Sequence, residues 1–67
     1  MENLKITLKA ARVNANLTIR QSAKKIGVSA STLIKWEKNP ESVAPEKQRR
    51  ISDAYDMPID NIIFLNK

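Results

Sequence analysis

The sequence predicts an all-α domain built of five short helices. Three observations carry that reading. Apolar residues recur at spacings of three and four. Cap and stop residues punctuate them at intervals a helix requires. Strand signals are confined to Ile62-Ile63-Phe64-Leu65, a stretch too short to pair alone.

Each element follows in order. Leu4, Leu8, Ala11 and Ala15 share one helical face, which predicts a first helix from about Asn3 to Asn14. Asn16 suits the left-handed position after its end. Thr18 opens T-x-x-Q with Gln21, the pattern in which each side chain satisfies the other residue's backbone amide, so the second helix starts there. Ala23 and Ile26 face inward, and Gly27 stops the helix because glycine takes a positive φ without steric cost. Ser29 can cap the third helix, with Leu33 and Trp36 inward and an end near Lys38. Asn39 to Pro45 reads as a loop with two prolines and no period. Pro45 suits the first turn of a fourth helix with an Ile51, Ala54, Tyr55 stripe, and Asp56-Met57-Pro58 breaks it. Asp60 opens the expected fifth helix, containing Ile62, Ile63, Phe64 and Leu65.

Sixty-seven residues allow a single domain, 1–67, with one small core. Cysteine and histidine are absent, which removes disulfides, thiolate or imidazole metal sites and the commonest general base. No glycine-rich phosphate loop or convincing carboxylate pair stands in their place, so an enzyme is not expected, nor is a cofactor. The N-terminus is broken by charge and holds no long apolar run, so neither a signal peptide nor a membrane span is expected, and a cytoplasmic setting fits.

Charge is distributed unevenly. The formal net charge is +5. Between Asn3 and Trp36 there is no acid, while Lys5, Lys9, Arg12, Arg20, Lys24, Lys25 and Lys35 are basic. From Glu37 onward the signs mix. Such a basic half suits a polyanion, because neutralising phosphates releases counterions; a solvated surface kept for solubility is the other reading of charge alone.

Two helices joined at a glycine are a common motif. Leu17 to Asn39, LTIRQSAKKIGVSASTLIKWEKN, is more specific. It resembles the helix-turn-helix of the phage Cro/CI-type repressors, the Xre family. The matching residues are Leu17-Thr18, Ala23, Ile26-Gly27-Val28-Ser29, Ser31-Thr32-Leu33 and Trp36-Glu37, with Leu8 and Arg12 before them and Ile51, Tyr55, Asp60 and Ile62 after. The resemblance implies a lambda-repressor-like DNA-binding domain, its helix-turn-helix at about 18–38. The third helix would lie in the major groove and the second across the phosphate backbone.

Residue roles follow from that resemblance and from helix geometry, which turns Ala30, Ser31, Ile34, Lys35 and Lys38 outward once Leu33 and Trp36 point inward. Ser29, Ala30, Ser31, Ile34 and Lys35 are the expected base contacts. Lys35 is the strongest, since it can donate to guanine O6 and N7, while Ala30 and Ile34 can touch a thymine methyl. Thr18, Arg20, Lys9, Lys24 and Lys38 are the expected phosphate contacts. Arg12 and Glu37 stand where the family pairs the first helix with the end of the reading helix. Two positions depart from the family pattern. Ile19 replaces a frequent glutamine, and Lys38 replaces a frequent asparagine.

The expected partner is a double-stranded operator, bound as a homodimer at least on DNA. Ile63, Phe64 and Leu65 either provide the self-association surface or finish the core. A regulator or repressor of phage or prophage origin is one functional reading. A protein-binding module of the same fold, an antirepressor or antitoxin, is the other.

Overall fold

The computed structural model describes residues 5–64. Along the chain run β1 (Ile6–Thr7), α1 (Leu8–Asn14), α2 (Ile19–Ile26), α3 (Ala30–Lys38), α4 (Pro45–Tyr55) and β2 (Ile62–Ile63). Short 3-10 turns lie at Pro40–Ser42 and Ile59–Asn61. The described residues are therefore mostly helical, with four α-helices rather than the five expected and a small two-stranded sheet.

The two ends of the described chain account for that correction. Thr7 has extended backbone (φ −68°, ψ 162°), and its side chain accepts the Ala10 amide, so α1 begins at Leu8. Asn3 and Leu4, where the first helix was expected to start, lie outside the described residues. Ile6 and Thr7 are β-branched and favour extended backbone, and a threonine directly before a helix is a preferred cap. At the other end, Asp60 sits in a single 3-10 turn, and the chain then extends as β2. Ile62 pairs with Ile6 and Ile63 with Thr7, in parallel. The Ile62-Ile63 segment does pair, and its partner is a segment the periodicity assigns to the first helix. Strands this short do not hold together unaided. Leu8, Ile62 and Phe64 are all buried and anchor them to the core.

Between these ends the local chemistry sets the helix limits. Asn16 takes φ +61° after α1. Thr18 and Gln21 form the reciprocal capping box of α2. Gly27 closes α2 at φ +95°, and its amide reaches the Ala23 carbonyl. Ser29 caps α3 by accepting the Thr32 amide. The loop after α3 holds the Pro40–Ser42 turn and a buried Val43, which no periodic signal marked. Pro45 occupies the first turn of α4, and Asp56 ends it at φ +52°.

The core lies where α2, α3 and α4 meet, with α1 and the strands closing one side. Ala11, Leu33 and Ile51 are fully enclosed, and Ala23 is small where α2 and α3 pack closely. Trp36 adds the largest apolar surface on α3. Burying a side chain the size of Leu33 or Ile51 contributes about 1.5–3 kcal/mol, and those inward faces fix the direction in which the outer faces of α2 and α3 point.

Candidate nucleic-acid interface

Ser31, Ile34, Lys35 and Lys38 fall at i, i+3, i+4 and i+7 on α3, and all four are exposed. That spacing makes one continuous stripe. Leu33 and Trp36 are buried on the opposite side, so the outward aim of the stripe is set by the core. Ile34 leaves 45% of its surface exposed, a large apolar side chain presented to solvent between two polar neighbours. Ala30 is half-buried at the first position of the helix.

Ser29 differs from the rest of the expected base-contact set. Its Oγ accepts the Thr32 amide at 3.1 Å and donates to Thr32 Oγ1 at 2.9 Å. The hydroxyl proton is thus committed to the cap, and a base would meet only a spare lone pair. The free proton of that pair belongs to Thr32, a residue the sequence reading placed in the motif without a contact role. Threonine three residues after a serine cap is the signal that could have found it.

On α2, Arg20 and Lys24 lie four residues apart and are both exposed. Thr18 is exposed at the helix start. Its amide is taken by Gln21 Oε1 at 2.9 Å and its Oγ1 by the Gln21 amide at 3.1 Å. The hydroxyl proton of Thr18 remains, beside the Ile19 and Arg20 amides, which lack an intrahelical acceptor. Ile19, where the family often has glutamine, is half-buried and packs against the core. Lys38 is exposed at the end of α3, and Lys9 is exposed on α1.

Arg12 ties the scaffold behind this face. Its Nε donates to Glu37 Oε2 at 2.7 Å, and the two side chains are only 11% and 10% exposed. Its Nη1 donates to the Leu17 carbonyl at 2.9 Å. One guanidinium therefore links α1, the α1–α2 loop and the end of α3.

A second buried polar contact escaped the sequence reading. The hydroxyls of Ser22 and Tyr55 hydrogen-bond each other and join α2 to α4. Burial pushes the Tyr55 hydroxyl pKa up; the Ser22 bond opposes this, the Glu37 charge adds to it, and the Arg12 charge opposes it. Ser22 sits on the inward stripe with Ala23 and Ile26, and a polar residue on an apolar stripe was the available signal.

A glycine turn between two helices, a basic second helix and a third helix with one polar face held outward define a helix-turn-helix. Helix-turn-helix is also the description of the family model that matches residues 8–62. The chain belongs to this Cro/CI-type family, whose members carry DNA-binding regulatory domains rather than enzymes. Comparison with curated proteins and with solved structures gives no match. Among the described residues, no helix is long and apolar enough to cross a membrane.

Proposed function

We propose that the protein is a sequence-specific transcriptional regulator of double-stranded DNA. It acts as a repressor of phage or prophage origin, in the cytoplasm of a bacterial cell or infected host. It reads an operator half-site with α3 in the major groove. The observation that carries this is the stripe of Ser31, Ile34, Lys35 and Lys38, an exposed face on the helix after the glycine turn with the basic α2 before it. The resemblance to phage repressors supports the origin and the sign of regulation.

In this reading Lys35 donates to guanine and Ser31 to either base edge. Ala30 and Ile34 meet thymine methyls, and Ser29 contributes close approach and its spare lone pair. Thr18, Arg20, Lys24, Lys38 and Lys9 hold phosphates, which set register and much of the affinity.

Two copies bind a two-fold operator. Phe64 is 7% exposed and belongs to the core, Ile63 is half-buried, and Leu65 lies outside the described residues. Ile63, partly exposed, contributes to the self-association and lines a cleft with Ile59 and the oppositely charged Lys5 and Asp60. A two-fold contact needs such a self-complementary surface.

Selection of sites from a random duplex pool tests the function. The expected result is one enriched sequence whose affinity falls steeply with salt. Recovery of no sequence over bulk DNA rejects it.

A further inference from the structure

Arg50 belongs to the mixed-charge half of the sequence, yet the fold carries it to the helix-turn-helix. An ideal Cβ placed on Gly27 would lie 3.3 Å from Arg50 Nη1, so the guanidinium rests close against the turn. The Arg50 side chain is 50% exposed and makes no hydrogen bond among the described residues. Among the described residues its one ion-pair contact is Nη2 to Glu46 at 3.9 Å, on a glutamate that is 74% exposed. Lys25, also exposed, lines the same shallow depression as Arg50. Asp53 lines it too, outside ion-pair range of Arg50.

The position has a consequence for DNA. Consecutive Cα atoms are about 3.8 Å apart, so Gly27 lies no more than about 11 Å from Ala30, the first residue of α3. The major groove is about 12 Å wide. A cation beside Gly27 is thus within one groove width of the start of α3, close enough to meet the phosphates that border a groove holding that helix. An arginine there offers free donors in a fork that matches phosphate oxygens.

We infer that Arg50, with Lys25 beside it, forms a phosphate grip at the turn, contributed by α4 and separate from the contacts of α2 and α3. The inference rests on the DNA-binding reading above. It assigns a function to a helix that otherwise only packs.

The test is a salt titration of the full chain on mixed-sequence duplex DNA, comparing wild type, Arg50→Ala, Arg50→Lys, Lys25→Ala and Arg49→Ala. Each lost phosphate contact lowers the slope of log affinity against log salt by about 0.9. Arg50→Ala is expected to lose that much slope and about tenfold in affinity at physiological salt. Lys25→Ala is expected to lose slope as well, and Arg50→Lys to keep it. Arg49 lies one residue away, about 100° around α4, so Arg49→Ala measures the loss of a charge from the same helix without the turn contact. Equal losses for Arg49→Ala and Arg50→Ala would overturn the grip, as would an unchanged slope for Arg50→Ala, and either leaves the DNA-binding reading intact. A wild type with no salt-dependent binding would overturn both. If Arg50→Ala melts below the assay temperature, Arg50→Gln, which keeps most of the aliphatic stem on α4 and removes the charge, takes its place.

Discussion

Replacing Glu37 by glutamine keeps the volume and one acceptor oxygen and removes only the charge. Arg12 is then left with a neutral amide and the Leu17 carbonyl, its side chain still only 11% exposed. A hydrogen bond to a charged group contributes about 1.5–3 kcal/mol and a neutral one about 0.5–1.5, so the bond alone loses about 1 kcal/mol. The guanidinium also loses its counter-charge. Breaking one side of a fully buried pair costs about 3–5 kcal/mol, and the partial exposure of Arg12 keeps the cost below that range. We expect about 2 kcal/mol in all. A domain of this size has about 3–10 kcal/mol of total stability, and each kcal/mol shifts its melting temperature by about 4–8 °C. Glu37→Gln should therefore melt about 8–16 °C lower. Circular dichroism and the fluorescence of Trp36, the single tryptophan, both follow the transition. Salt at ~1 M should leave most of the deficit in place, because a buried pair is weakly screened. In a double-mutant cycle with Arg12→Met, the pair should be less destabilised than the sum of the singles. A Glu37→Gln domain that melts with wild type would show that the pair does not hold α1 to α3.

Gly27→Ala places a Cβ on a backbone with φ 95°, while Arg50 Nη1, 3.3 Å away at the tip of a half-exposed side chain, can shift to make room. The substitution should cost about 1–2 kcal/mol in a denaturant melt, with no change taken as evidence that the turn can relax. Tyr55 is the single tyrosine, so tyrosinate absorbance titrates it directly. Its folded pKa is raised, so its contribution to stability is complete below the unfolded value of about 10 and is lost as pH climbs through the folded one. Alkaline melts should accordingly lose stability more steeply in wild type than in Ser22→Ala/Tyr55→Phe; parallel curves would show that Tyr55 does not contribute. Ile63→Asp should abolish any concentration-dependent dimerisation in sedimentation equilibrium while leaving the fold intact, and a dimer that survives it uses another surface.

The middle of the molecule was legible in the sequence because its instructions are local. Thr18 with Gln21, Gly27 and Ser29 each set a backbone geometry within four residues, and the structure has all three in place. The ends were less legible because β1 and β2 pair across almost the whole chain, and a two-residue strand leaves no period to detect. Ile62-Ile63-Phe64-Leu65 carried β-branched chemistry, but its pairing depends on Ile6 and Thr7 being nearby, which is a property of the fold. The outward residues of α3 followed from knowing its inward ones. Arg50 did not, since nothing within α4 says that its guanidinium will lie against Gly27 of another helix.

In the proposed mode α3 reads bases while α2 holds the backbone, and specificity measured base by base separates these two roles. On a selected operator and all its single-base variants, Lys35→Ala is predicted to erase about 1–3 kcal/mol of preference at one base pair and to leave the other positions nearly unchanged. Arg20→Ala, the phosphate comparison, is predicted to weaken every variant by a similar factor. If Lys35→Ala instead weakens all variants equally, α3 does not read sequence through Lys35, and the account of this face is wrong.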